Sequence, residues 1–163
     1  MLSEKYKIVP VAKEIDLSGT VYSDSINMKN YHKATFMFIL NTLGGASSVL
    51  TVCSGATDAA CTSALTFNYA FGGAALGSAV AGSSASCDVL SAWTSAATLT
   101  LTYGTYSNFM LVVEVDASAM DIANEEEWLT CKFTTTSSVT GNVSGFAVLT
   151  PRYANGNSLT CLA

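Results

Sequence analysis

Between positions 64 and 71 the side chains alternate. Leu65, Phe67, Tyr69 and Phe71 fall on one face, and Thr66, Asn68 and Ala70 fall on the other. A period of two marks a half-buried β-strand, so the chain must fold in a way that buries one face of a sheet. The rest of the sequence repeats this at strand length. Residues 34–40 form a continuous apolar run, which predicts a strand covered on both faces. Residues 108–116 form a second strong apolar strand, and 49–52, 89–93, 98–101, 128–133 and 143–149 read as further strands. Gly44-Gly45, the polar stretch 54–60, the stretch 134–142 and Pro151 punctuate them. Only residues 116–126 carry helical signals, with Asp116 or Ser118 as N-cap and a turn or two of length.

Regular short strands with turn-rich connections predict an all-β fold: a two-sheet β-sandwich, jelly-roll-like or Greek key, of about eight strands. The 163 residues suit one domain. Residues 1–20 read as an extended N-terminal arm, 21–153 as the sandwich, and 154–163 as a loop-like C-terminal tail. In the arm, Ile8, Val9 and Val11 surround Pro10, which suits an edge strand. Residues 72–86 are built almost wholly of Gly, Ala and Ser and predict a flexible surface loop.

Charge is scarce, at 12% of residues. About a quarter is usual, and thin charge suggests a surface partly covered by a partner. It is also uneven. Lys5, Lys7, Lys13, Lys29 and Lys33 precede Ala34, after which no Lys or Arg occurs until Lys132. Nucleic acid is therefore not expected as a partner, because phosphate binding needs a basic face. No apolar run approaches the roughly 20 residues of a spanning helix, so no membrane is expected. The start of the chain lacks the apolar core of a signal peptide. The expectation is folding in the cytoplasm, or a mature chain whose leader has been removed.

The residues that carry chemistry elsewhere are isolated here. His32 is the only histidine and has no nucleophile motif beside it. Glu114 and Asp116 share one strand face, whereas a glycosidase needs carboxylates facing across a cleft. The acids Asp116, Asp121, Glu125, Glu126 and Glu127 lack the glycine and alternating oxygen ligands of a calcium loop. The glycines from Gly72 are not followed by the Lys of a phosphate loop. Asn142-Val143-Ser144 matches a glycosylation sequon, which needs a secretory context. Trp93, Trp128, Tyr31, Tyr69, Tyr103, Tyr106 and Tyr153 would suit a sugar platform, but strand aromatics more often anchor cores and interfaces. Five cysteines are an odd number, which argues against a fully paired framework. Cys131 reads as a core hydrophobe, and Cys53 and Cys61 flank a polar loop across which they could face each other. No enzyme activity, cofactor or metal is expected.

Three segments are suggestive together: Ser23-Asp24-Ser25-Ile26-Asn27-Met28-Lys29-Asn30-Tyr31-His32-Lys33-Ala34-Thr35-Phe36, Asn108-Phe109-Met110-Leu111-Val112-Val113-Glu114-Val115-Asp116-Ala117, and Leu149-Thr150-Pro151-Arg152-Tyr153. With the 64–71 strand between them, the chain resembles a family of small tailed-bacteriophage virion proteins. The resemblance implies a capsid decoration, or cement, protein folded in the host cytoplasm and carried on the capsid surface. It implies the major capsid protein as partner, self-association as a trimer or another homo-oligomer, and no catalytic residues. The N-terminal arm would add a strand to the shell by β-augmentation, with Lys5, Lys7, Ile8, Val9, Val11 and Lys13 making the contacts. On that expectation, deleting residues 1–17 abolishes capsid binding and leaves the sandwich folded. The alternative is a receptor- or glycan-binding module of a fibre or tail, favoured if exposed aromatics ring a pocket at a loop end.

Overall fold

A computed structural model describes residues 5–77, 86–135, 139–153 and 160–162. The strands are β1 (Lys7–Asp16), β2 (Val21–Tyr22), β3 (Ile26–Asn27), β4 (Tyr31–Leu40), β5 (Gly44–Gly45), β6 (Ser48–Gly55) and β7 (Ser63–Leu65). They continue as β8 (Phe67–Phe71), β9 (Thr94–Ala96), β10 (Leu99–Leu101), β11 (Met110–Asp116), β12 (Trp128–Thr135), β13 (Val139–Thr140) and β14 (Asn142–Pro151). One helical turn, α1 (Tyr103–Tyr106), and two 3₁₀ turns, Ala117–Ala119 and Ile122–Asn124, interrupt them. The fold is an all-β sandwich of antiparallel sheets.

The main sheet has the order β1-β14-β4-β11-β8-β9. The second has the order β10-β6-β12-β2, with β3 continuing β2 along β12 and β7 joining β6. β5 and β13 make a small ladder of their own. The alternating stretch seen in the sequence changes sheets midway. Leu65 ends β7 against Val52 of the second sheet, whereas Phe67–Phe71 pairs with β11 in the main one. Residues 94–101 cross in the same corner, as β9 and then β10. Strands that switch sheets are how a sandwich closes a corner.

Between the sheets lie Phe36, Phe38 and Leu40 of β4, Leu111, Val113 and Val115 of β11, and Ala147 and Leu149 of β14. Leu50 and Val52 of β6 face them with Leu129, Cys131 and Phe133 of β12. Phe38 stacks on Phe36 at 5.8 Å and meets Phe133 edge-on at 5.5 Å, so one ring ties the two sheets together. Burial pushes the Cys131 thiol well above its ordinary range, in keeping with a core hydrophobe.

Two expectations need correction. Of the stretch read as an arm, positions 1–4 lie outside the described residues and 7–16 are not apart from the sandwich. β1 pairs with β14 from Lys7↔Leu149 to Asp16↔Asn142, and Val9 and Val11 are 2% and 1% exposed. Their alternation with Ile8 and Pro10 suits an edge strand, and the core needs their side chains to cover its margin. The described tail residues 160–162 carry no helix or strand, but they are anchored. Cys161 is buried and its carbonyl accepts the Asn27 N–H at 2.8 Å. Positions 154–159 and 163 of that tail, and 78–85 of the Gly/Ala/Ser stretch, lie outside the described residues. The second correction concerns β4, whose outer face the described residues cover only in part. Met37 and Ile39 point to the outer face and stay partly open.

The turn or two of helix expected over 116–126 takes the form of two 3₁₀ turns, Ala117–Ala119 and Ile122–Asn124. Asp116 caps the first, as its Oδ1 accepts from Ser118 N–H at 2.8 Å. Hydrogen bonds from the Ser118 side chain and backbone hold the Asp116 carboxyl below its usual range. Tyr31 begins β4 fully inside. Burial, then the neighbouring Cys161, push its phenol up from 10.0 to about 12. The fold thus favours the neutral phenol. Stability from this group is full below about pH 10 and falls as pH rises through about 12. Tyr31→Phe should flatten that alkaline slope in denaturant midpoints measured across the window; an unchanged slope would contradict the assignment.

Candidate functional site

The charged end of the sandwich is where β1 starts, β4 starts, and β11 and β14 finish. There the chain gathers Lys5, Lys7, Lys29, Lys33 and Arg152, with Asp116, Asp121, Glu125, Glu126 and Glu127. Arg152 Nε donates to the Tyr31 carbonyl at 2.8 Å. Lys29 Nζ sits 3.9 Å from Glu127. A cavity of about 100 Å³ lies between these groups, lined by Met28, Ala117 and Met120 below and Lys29, Glu127 and Arg152 above. Glu126 is the member that turns inward. It is buried and accepts from the hydroxyls of Ser54 and Ser63, pinning the acidic turn to the β6–β7 hairpin. The sequence alone reads Glu126 as a solvated turn residue. Only the left-handed backbone at Glu125, φ 60°, swings it inside.

The loop after β6 folds back over the outer face of the second sheet. Cys53 and Cys61 are disulfide-bonded across it, with Cα atoms 5.1 Å apart. Ser25 Oγ accepts from Ala59 N–H at 2.9 Å and shares a hydrogen bond with Thr130 Oγ1 at 2.7 Å. With a sequence separation of 8 between the cysteines, chain entropy gives the bridge roughly 2.5 kcal/mol of stability. A Cys53→Ala/Cys61→Ala variant should lose about that much in chemical denaturation yet keep the loop, because the hydroxyl contacts remain. A loss near zero would contradict the bridge.

The opposite end has another character. Residues 41–47, 102–109 and 139–142 meet there and hold no charged residue. Leu43 N–H donates to Ser107 Oγ, Leu17 N–H to the Gly141 carbonyl, and Asn41 N–H to the Asn142 carbonyl. Tyr106 stacks on Phe71 at 4.0 Å, with Phe109 edge-on to both. Tyr103 stands 47% exposed at the tip.

Of the predicted contact residues, Lys5 and Lys13 are exposed and Lys7 is partly so, while Val9 and Val11 are core. Ile8 is 46% exposed, on the outer face of the main sheet. The open edge of β1 is poorly suited to receive another strand. Pro10 has no N–H, the register shifts on both sides of Ala12, and Glu14 adopts φ 49°. The Val11 carbonyl is already taken by Asp24 N–H at 2.8 Å. β-Augmentation through this strand is therefore set aside.

The feature missed in the sequence is the outer face of the main sheet. Pro10 pairs with Phe146, Phe146 with Met37, Met37 with Val112, and Val112 with Ala70. These outward residues form one apolar row across five strands. Continuing the β8–β9 register one step past Tyr69↔Thr94 brings exposed Trp93 beside it. Ile8 and Val148 flank the row on one side, Ile39 and Met110 on the other. The near-continuous apolar runs of β4 and β11 follow from this, since their second face is apolar too: on it Met37, Ile39 and Met110 stay partly open, whereas Val112 and Ala70 are buried. Below the row Lys33 is ion-paired with Glu114, which also accepts from Thr35 Oγ1 at 3.3 Å.

Glu114 and Asp116 do share a face, two positions apart on one strand, and His32 is exposed beside them. Among the described residues no group of three or more His, Cys, Asp or Glu is placed to hold a metal ion, and no helix is long and apolar enough to cross a membrane. The chain matches no protein-family model and no curated protein.

Proposed function

We propose that this chain is a structural virion protein that decorates and stabilises a bacteriophage capsid, bound to the major capsid protein and to copies of itself. The observation that carries the reading is the apolar outer face of the main sheet in a chain with little charge. A contiguous apolar face rimmed by polar groups suits burial against protein rather than exposure to solvent. A binder of a repeating shell gains from many modest contacts at once, and such a face supplies them.

The connectivity is compatible. With β8 and β9 left aside, the orders β1-β14-β4-β11 and β10-β6-β12-β2 are compatible with the alternation of a jelly roll. Viral capsid and lectin domains both use that fold, so it supports the reading by analogy only. The Cys53–Cys61 bridge suits a protein that ends on a particle surface outside the reducing cytoplasm. The resemblance of the segments around Ser23, Asn108 and Leu149 to small virion proteins points the same way.

A second reading rests on the uncharged end. Loops rich in Tyr, Ser, Thr, Gly and Asn are the chemistry of adaptable recognition surfaces, which would suit a receptor- or glycan-binding module. Quantitative mass spectrometry of purified particles separates the two. The decoration reading expects copy numbers of the same order as the major capsid protein; a handful of copies per particle would overturn it in favour of the second.

A further inference from the structure

We infer that two copies of this chain join edge to edge through β9, antiparallel, about a two-fold axis that passes through Ser95 at right angles to the sheet. The inference locates a self-contact within the decoration reading and rests on that reading for its setting, although its geometry comes from the edge alone.

The two edges of the main sheet are guarded differently. At one edge β1 carries Lys7, Lys13, Glu14 and Asp16, with Pro10 and two shifts of register. Charge, proline and bulges all discourage a further strand. At the other edge β9 has none of them: it reads Thr94-Ser95-Ala96 and pairs with β8 in an unshifted register from Phe67↔Ala96 to Tyr69↔Thr94. Among the described residues no strand lies on its other side. Thr94, Ser95, Ala97 and Thr98 are exposed, and Trp93 stands 47% exposed. An edge strand of this kind presents unpaired N–H and C=O groups as a template for another strand.

Charge says which strand suits it. Between Asp58 and Glu114 the only charged residue is Asp88. β7, β8, β9 and β10 all fall in that stretch, so this side of the sandwich is neutral in a chain of net charge −5. Two such chains repel each other least where their neutral sides meet. A charged partner would find nothing here to pair with, whereas a second copy brings an equally neutral edge.

The side chains fit the same operation. Ser95 is the register partner of Asn68, which alternates with core Phe67, so Ser95 faces outward. Trp93 and Ala97 lie two positions to either side of it and share that face by alternation. With the axis through Ser95, Trp93 of each copy stands opposite Ala97 of the other, a large side chain beside a small one, twice. Thr94 stands opposite Ala96 on the other face, and Ser95 meets its own copy. Each contact is thus made in duplicate, as an isologous interface requires, and cross-strand pairs of this kind are what stabilise a sheet.

The test uses the full chain. Sedimentation of the native protein at micromolar concentration should give twice the chain mass. Ser95→Glu sets two carboxylates face to face on the axis and should weaken association by roughly 10-fold or more. Its far-UV circular dichroism should stay that of the native chain, because the side chain is already exposed. As a second arm, Ser95→Cys is oxidised in a Cys87→Ser background, since Cys87 is a free cysteine and partly exposed. Opposed residues of an antiparallel pair have Cα atoms about 4.5–5.5 Å apart, within the reach of a disulfide. A covalent dimer should form well above the level given by Thr100→Cys in the same background, an exposed position on β10 that the axis does not bring together. A monomeric or odd-numbered native assembly, a Ser95→Glu protein that keeps the doubled mass, or Ser95→Cys linked no better than Thr100→Cys would each overturn the inference. Particle copy number is read separately. A monomer abundant on shells defeats this contact alone, and a dimer absent from shells defeats the decoration reading alone.

Discussion

Deleting residues 5–16 unfolds the sandwich. The strand is the edge of the main sheet, and its loss opens the ladder of β14 from Val143 to Leu149. It also removes Val9 and Val11 from the core and frees Asp24 N–H from the Val11 carbonyl. Burial of each valine contributes about 1.5–3 kcal/mol, and the exposed flanks of Ala147 and Leu149 add more. That sum rivals the roughly 5–15 kcal/mol by which a domain of this kind is stable. The truncated chain should show no cooperative thermal transition by circular dichroism. A sharp transition near that of the full chain would mean that β1 is an appendage after all.

Phe38→Ala should cost about 3–5 kcal/mol, as expected for a fully buried aromatic side chain. Its ring is fully buried, stacks on Phe36 within its own strand, and reaches across to Phe133 of the second sheet. The sequence has made room for it. Gly145 on β14 is the register partner of Phe38, and a Cβ there would lie 2.5 Å from the ring. Gly145→Ala should thus cost roughly 1–3 kcal/mol by overpacking. The double variant should cost less than the sum of the two, since the methyl group enters the space the ring has left. The relief is partial, because the Met37 carbonyl also stands 2.7 Å away. Denaturant titration of the four proteins reads this directly, and strict additivity would show that the two sites do not meet.

Strands with strong patterns were legible from residue order. Phe36 and Phe38 in β4, Leu111, Val113 and Val115 in β11, and Leu129, Cys131 and Phe133 in β12 announce their buried faces by alternation. Asp116 announces its cap. The crossing at 63–71 was not legible, because its alternation runs unbroken through Thr66 while the hydrogen-bond partners change from β6 to β11. The place of β1 was hidden by Pro10 and the lysines. These mark an exposed edge, and an exposed edge and a free arm look alike until a partner strand is known. The apolar row on the main sheet is a property of register. Phe146, Met37 and Val112 are far apart in sequence, and a slip of one residue would send each of them inward. Glu126 was hidden for a similar reason. One left-handed residue decides whether such a carboxylate meets water or the hydroxyls of Ser54 and Ser63.

Electron cryo-microscopy of the intact particles tests the central claim most directly. Decoration predicts density of this sandwich repeated at symmetry-related sites over the capsid lattice, with its buried surface against the shell or a second copy. Density confined to a tail tip or fibre, or no such density on the particle, would contradict it.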